Sequence, residues 1–130
     1  MLLTSIARSL QVAITGTTPS ANLAAGWKDT DQRNGKVSYD QAEVAISSST
    51  SATEIVPAPG EGVLRDVEWM SIYNIDGTTT TASVLLAGGD ITTPVIFKAA
   101  LATVETAAYT KQRGWHCVTT AGALKTTPHA

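Results

Sequence analysis

The chain has 130 residues, of which 43% are hydrophobic and 15% are charged, and its net charge is −2. This length predicts one domain with a self-supporting core. The nine Lys and Arg residues are scattered, and without a basic stretch to neutralise phosphates we expect no nucleic-acid partner. No segment approaches the roughly 20 consecutive apolar residues of a membrane span. We therefore expect no membrane partner either.

The single cysteine, Cys117, cannot form an intramolecular disulfide. The fold therefore does not depend on an oxidising compartment. The first residues also lack the long apolar stretch of a secretory signal. Both observations predict a protein that is made and folded in a reducing cytoplasm.

The first third of the chain predicts an arm followed by short strands. Residues 1–8 are weakly patterned and are expected to form an N-terminal arm. Apolar side chains alternate over residues 10–14, which is typical of a half-buried strand. A second strand is expected over residues 21–28 and a third over residues 36–39. Between these two, Asn34-Gly35 favours a tight hairpin turn because both residue types tolerate positive φ.

Residues 40–44 fit either a strand or a short helical turn, because apolar and polar residues alternate over only a few positions. A proline- and glycine-rich segment follows at residues 57–62. Its two prolines lack a backbone donor, so the segment cannot lie in a central strand. We expect it to cross from one sheet to another.

Residues 64–75 form the most apolar predicted strand. Trp69 and Tyr73 share one face, and Met70 and Ile72 share the other. Val67 falls on the Trp69 face, so both faces carry large side chains. Either a bulge shifts the alternation near Val67, or both faces are buried and the outer one needs a partner.

The rest of the chain predicts further strands and turns. Asp76-Gly77 is typical of a hairpin turn after residue 75. Four more strands are expected, over residues 80–87, 94–101, 107–110 and 115–119. The pattern predicts eight or nine strands in an all-β, single-domain antiparallel β-sandwich, jelly-roll-like or Ig-like, over residues 9–122. Residues 123–130 are expected to form a C-terminal tail.

Catalytic and metal-binding groups are few. His116 and Cys117 are neighbours on a predicted strand, so their side chains point to opposite faces and do not easily share a metal. His129 lies in the predicted tail. The carboxylates of a mid-chain loop region are expected to be solvated or at most to form a weak cation site; these are Asp29, Asp31, Asp40 and Glu43. We expect no enzyme, no cofactor and no metal site.

The aromatic residues are the remaining candidates for function; they are Trp27, Tyr39, Trp69, Tyr73, Tyr109 and Trp115. Each fits a core position. Exposed Trp and Tyr are instead typical anchors of protein interfaces, and in a carbohydrate-binding sandwich they stack on sugars. The outward face that Trp69 and Tyr73 share is the strongest candidate, so we predict these two residues at a subunit interface.

A family resemblance rests on five parts of the chain: the strand 10–12, the segment 24–29, the run 53–59, the strand 64–74 and the closing Gly-Trp strand 114–122. In their order they resemble a group of small structural proteins of tailed bacteriophages. In that group a glycine-bearing turn commonly follows the strand that ends here at Leu101. This chain has Ala102-Thr103-Val104-Glu105 instead, which puts that local hairpin in doubt.

The resemblance implies a non-enzymatic virion component assembled in the host cytoplasm. A capsid decoration or cement protein that stabilises the phage head is the leading expectation. Its partners would be the major capsid protein or other virion proteins, together with further copies of itself, for example as a trimer. A head-fibre, collar or tail component is the first alternative, and a glycan-binding module is the second.

Overall fold

A computed structural model describes residues 1–3, 8–16, 19–47, 50–88 and 95–124. These residues form an all-β fold with two antiparallel sheets, which is the predicted single-domain β-sandwich. The strands of the described residues are β1 Leu2–Leu3, β2 Ser9–Thr15, β3 Ala21–Asp31, β4 Val37–Ile46, β5 Thr53–Val56, β6 Val63–Asn74, β7 Thr80–Ala87, β8 Val95–Leu101, β9 Thr106–Thr110 and β10 Gly114–Val118.

One sheet has six strands in the order β10-β9-β6-β3-β4, with β1 also paired to β6. The other has four strands in the order β5-β2-β7-β8. Residues 40–44, which fitted a strand or a helical turn, belong to the strand β4. Both sheets bury alternate side chains between them, as expected for a sandwich. The largest fully buried side chains come from both sheets: Phe97, Leu10, Ile14, Leu23, Ile55, Met70, Ile72 and Leu101.

A bulge in β6 resolves the conflict in its sequence pattern. Gly26 of β3 pairs with Trp69, but the next residue, Trp27, pairs with Val67. Glu68 is therefore the extra residue, and it shifts the alternation of β6 by one position. As a result Val67 is fully buried while Trp69 points outward. The bulge, rather than burial of both faces, explains the pattern.

The Asn34-Gly35 turn is longer than predicted. Gly35 has a φ of 72°, whereas Asn34 is not among the non-glycine residues with positive φ. Gly35 N donates to Asp31 O at 2.7 Å, and Asp31 N donates to Lys36 O at 2.8 Å. The predicted hairpin is present, because β3 and β4 pair on either side of this turn. Only the glycine adopts the left-handed region, so the expectation of a tight turn with both residues at positive φ was wrong.

The predicted hairpin at Asp76-Gly77 was also wrong. β6 and β7 lie in different sheets, so the turn crosses the sandwich. Asn74 holds the crossing in place: its Nδ2 donates to Leu101 O at 2.9 Å, and its Oδ1 accepts from Asp76 N at 3.0 Å. The side chain of Asn74 is 1% exposed, and it ties this crossing to the one that follows β8. A turn sequence alone does not show which sheet the next strand joins.

The turn after β8 is likewise a crossing between sheets, to β9. Val104 adopts a φ of 58° there, the left-handed region that favours glycine. A β-branched residue in this region is strained. The sequence left the hairpin after Leu101 in doubt, and the chain forms none there, because β8 and β9 lie in different sheets.

The segment 57–62 crosses between sheets as predicted, from β5 to β6. Arg65 secures it: its guanidinium donates to Asp29 at 2.8 Å through two nitrogens and to Pro57 O at 2.7 Å. The same group lies 5.0 Å from the centroid of the Trp27 ring. One arginine therefore covers an end of the core and fixes the crossing.

The two ends of the chain pack on the six-stranded sheet where they are described. Leu2 and Leu3, within the expected arm, pair with Asp66 and Arg65 of β6, and Leu3 is 3% exposed. Leu124, in the expected tail, bridges to Val118. Residues 4–7 and 125–130 lie outside the described residues.

Candidate interaction surface on the six-stranded sheet

The outer face of the six-stranded sheet carries the two residues selected from the sequence. Trp69 is 38% exposed and Tyr73 is 37% exposed, whereas Met70 and Ile72 of the same strand are buried. The two aromatic side chains thus lie on the side of β6 that faces away from the core. No partner chain is present, so their place in an interface stays a prediction.

Gly26 determines where the indole of Trp69 lies. The two residues are opposite each other on neighbouring strands. A Cβ atom built on Gly26 would overlap Nε1 of Trp69 and come within 2.6 Å of its Cε2. The five-membered ring therefore lies directly over the glycine backbone, and this position of the ring requires the absence of a side chain at residue 26.

A shallow cleft of about 480 Å³ opens beside this indole. Tyr39 of β4, with 73% of its surface exposed, stands on the other side of the cleft. Polar groups contributed by Asp40, Gln41 and Glu68 complete the lining. The cleft thus combines two aromatic rings with carboxylate and amide groups.

A second cleft, of about 520 Å³, lies farther along the same face next to Tyr73. Its lining includes the small side chains of Ala24, Ala45 and Ser71, together with Glu43 on β4. Small residues between the two large aromatic side chains make the face concave there. The outer face is therefore uneven and apolar in part, as protein contact sites commonly are.

An ionic cluster borders the face at the β6 bulge. Lys111 Nζ lies 2.6 Å from Asp66 Oδ2 and 3.4 Å from Glu68 Oε2, and the Met1 ammonium lies 3.2 Å from Asp66 Oδ1. Burial alone would raise the pKa of Asp66, but the hydrogen bonds from Lys111 and Met1 outweigh it, so this pKa is below its usual value. The hydrogen bond to Asp66 also raises the pKa of Lys111.

Tyr109 joins this cluster from the neighbouring strand β9. Its hydroxyl accepts a hydrogen bond from the Met1 ammonium at 2.8 Å. Burial, followed by the negative charge of Asp66, raises the pKa of the phenol. The group stays protonated at neutral pH and serves as a structural contact.

The remaining tryptophans are largely covered. Trp27 borders the first cleft but is only 5% exposed, and Arg65 lies over its ring. Trp115 stacks on Phe97 at a centroid distance of 4.4 Å and lies 5.2 Å from the Tyr109 ring. Both therefore contribute to packing between the sheets.

The side chains considered for catalysis or metal binding lie apart from one another. Cys117 is buried, while the ring Nδ1 of His116 lies 3.1 Å from Gly114 O. Asp29 is held by Arg65, and Asp31 forms a 3.1 Å ion pair with Arg33. Side-chain and backbone hydrogen bonds from Arg33 lower the pKa of Asp31.

The acidic residues of the mid-chain region therefore do not converge. Asp40 accepts a hydrogen bond from Gln41 N at 2.8 Å, and Glu43 lies on the outer face. Within the described ranges no three His, Cys, Asp or Glu side chains are grouped to hold a metal ion. His129 lies outside those ranges.

Over the same described residues, no helix is long and apolar enough to cross a membrane. No family model, curated protein or solved structure matches the chain. What can be said of its function therefore comes from its own residues.

Sequence reasoning missed Gly26, and it named Tyr39 among the aromatic candidates without placing it on this face. Gly26 is a lone glycine within an otherwise regular strand pattern, which is a signal of close approach by another group. Tyr39 could not be assigned to a face because β4 was not recognised over its full length. Recognising β4 over residues 37–46 would have placed Tyr39 on the outer face, two residues from Gln41, which pairs with Gly26 opposite Trp69.

Proposed function

We propose that this protein is a non-enzymatic structural component of a phage virion, in the first place a capsid decoration protein. It binds the major capsid protein or a neighbouring virion protein through the outer face of the six-stranded sheet. The observation that carries the proposal is the exposed aromatic pair Trp69 and Tyr73 on a face with two clefts. The phage assignment rests on the segment order described above.

The mechanism is burial of this uneven face against a partner. Exposed aromatic rings supply large contact areas with few rotatable bonds, which is why Trp and Tyr are enriched among residues that dominate binding energy. Many copies on one particle would add avidity, so each contact can be modest. Assembly takes place in the host cytoplasm and the mature location is the virion.

Particle-binding measurements with single variants test the proposal. Trp69→Ala and Tyr73→Ala should each weaken association with particles that lack the protein, by about 2 kcal/mol or more if they are dominant contacts. Ile96→Ala is the matched control, because Ile96 is also 37% exposed but belongs to the four-stranded sheet. Thermal melting of each purified variant separates binding from folding.

The proposal fails if particle binding of the Trp69 and Tyr73 variants follows only their folded fraction, or if Ile96→Ala is equally damaging. Counting copies on intact particles separates the structural alternatives. Hundreds of copies indicate decoration, whereas a dozen or fewer indicate a collar or tail component; a head fibre would be recognised by its position on the capsid.

A glycan-binding module is the second candidate, and the first cleft favours it. The indole of Trp69 and the phenol of Tyr39 border this cleft and offer stacking surfaces, while Asp40, Gln41 and Glu68 offer hydrogen-bond partners for sugar hydroxyls. A glycan array tests this directly. Saturable binding that is lost in Trp69→Ala, with an unchanged melting temperature, would support it and would displace the capsid proposal.

A further inference from the structure

The outer edge of β4 is the least protected edge of the sandwich. β4 has ten residues, and of the strands that the structure describes only β3 pairs with it. Its pairing with β3 is continuous over the whole strand, and it contains neither proline nor lysine. Edge strands avoid pairing with other chains by short length, bulges, prolines and charged side chains, above all lysines. Of these devices β4 has only two carboxylates, Asp40 and Glu43.

The other three edges carry such devices. β5 has four residues and is followed by Pro57 and Pro59. β8 has a register shift at Ile96 and an exposed Lys98. β10 has only five residues. The contrast singles out β4 as an edge that is available for pairing.

The hydrogen-bond pattern shows which backbone groups β4 presents at this edge. Asp31 N donates to Lys36 O, so this opposed pair is hydrogen-bonded, and alternate residues from 36 to 46 face β3. The intervening residues direct their N–H and C=O groups outward; they are Val37, Tyr39, Gln41, Glu43 and Ala45. In agreement with this pattern, Gln41 N donates a hydrogen bond to Asp40 Oδ1 at 2.8 Å and not to β3.

We infer that β4 pairs antiparallel with β4 of a second copy of this chain, about a two-fold axis at Gln41. The five residues whose backbone groups point away from β3 are arranged symmetrically about Gln41. In this register each of them lies opposite one of the same five residues in the second copy, and about ten backbone hydrogen bonds form. The pairing extends the six-stranded sheet continuously from one copy into the other. This inference does not depend on the proposed virion role.

Charge selects this register against its neighbours. A two-fold axis at Asp40 or Glu43 would place a carboxylate directly opposite its own copy, which destabilises a strand pair. With the axis at Gln41, Glu43 lies opposite Tyr39 of the second copy. An axis at Ala42 avoids like charges as well, but it leaves Val37 opposite Ser47, which is beyond the end of β4.

The register also accounts for the exposure of Tyr39. This ring is 73% exposed in one chain, the most exposed large hydrophobic side chain of the described residues. In the pair, Tyr39 of the second copy stands beside Glu43, at the margin of the second cleft with its lining of Ala24 and Ser71. Pairing thus provides an aromatic side chain at the cleft of small residues.

Sedimentation equilibrium of the full chain without particles measures the association. We expect a monomer–dimer equilibrium. Gln41→Pro removes the central outward N–H without touching a bond to β3, and should weaken dimerisation about tenfold or more. Gln41→Thr keeps the N–H and serves as the control. Asp40→Ala removes the competing acceptor for Gln41 N and should tighten the dimer.

Disulfide trapping tests the register even if Gln41→Pro fails to fold. At the axis the two Cα atoms of Gln41→Cys would lie roughly 5.5 Å apart, within disulfide range. Two copies of Glu43→Cys would be offset by four residues along the paired strands, which is too far for a disulfide. The native Cys117 is buried. We expect oxidised dimers from Gln41→Cys alone.

Three results would overturn the inference. They are a monomer at every concentration, equal dimerisation of the proline and threonine variants, and crosslinking through Glu43→Cys but not Gln41→Cys. Because no particle is present in any of these experiments, their failure is distinguishable from failure of the capsid proposal.

Discussion

Replacing Gly26 with alanine tests whether the glycine positions the Trp69 indole. The added Cβ overlaps Nε1, so the ring must leave its place on the sheet. Trp69 is already 38% exposed, so at most about 150 Å² of a side chain of up to ~250 Å² can be uncovered. At ~25 cal/mol per Å² this sets an upper limit of about 4 kcal/mol. A partial displacement should lower the free energy of unfolding by about 1–2 kcal/mol.

When the indole is absent, the same substitution should raise the free energy of unfolding instead of lowering it. Gly26 has no positive φ, so alanine fits the backbone. In the Trp69→Ala background alanine reduces the conformational freedom of the unfolded chain and should stabilise the protein by about 0.5–1 kcal/mol. Urea denaturation of the wild type, both single variants and the double variant measures this coupling. If Gly26→Ala is equally destabilising in both backgrounds, the indole is not the reason for the glycine.

Three further predictions concern stability. Arg65→Ala should cost about 2–3 kcal/mol in urea denaturation, because it breaks a largely buried ion pair. Arg33→Ala is the control for this prediction and should leave stability nearly unchanged, because its ion pair with Asp31 is exposed. The lowered pKa of Asp66 stabilises the fold above the unfolded value near 4 and ceases to do so as pH falls through the folded value. Melting temperatures should therefore fall more steeply on acidification for the wild type than for Asp66→Asn. Val104→Gly should raise stability by about 1 kcal/mol, since it relieves a left-handed β-branched residue; unchanged or lower stability would contradict the strain.

Much of the fold follows from alternation alone. The strand boundaries of β7 match the predicted residues 80–87, and β6 differs by one residue at each end. Both strands are rich in apolar residues and have clear turns beside them, so their ends could be predicted, although the bulge of β6 was one of two interpretations of its pattern. The outward orientation of Trp69 was likewise readable, because Met70 and Ile72 suffice to anchor the opposite face.

The connections between sheets were less accessible to sequence reasoning. Asp76-Gly77 satisfies the local requirements of a hairpin, yet β7 joins the other sheet because Asn74 hydrogen-bonds across to the end of β8. That bond joins residues far apart in the chain and leaves no local signature. Similarly, Tyr39 became part of the candidate surface only through the position of β4 at a sheet edge.

The central position of β6 has a consequence for how the chain folds. β6 pairs on one side with β3, which precedes it, and on the other with β9, which follows it after a long excursion through the four-stranded sheet. Such distant pairing is entropically costly to begin, and all-β domains of this kind typically fold in milliseconds to seconds. During synthesis residues 69–73 of β6, with which β9 pairs, therefore lack their second neighbour until β9 has left the ribosome. The yield of folded protein in a cell then depends on how long this part of β6 stays unpaired.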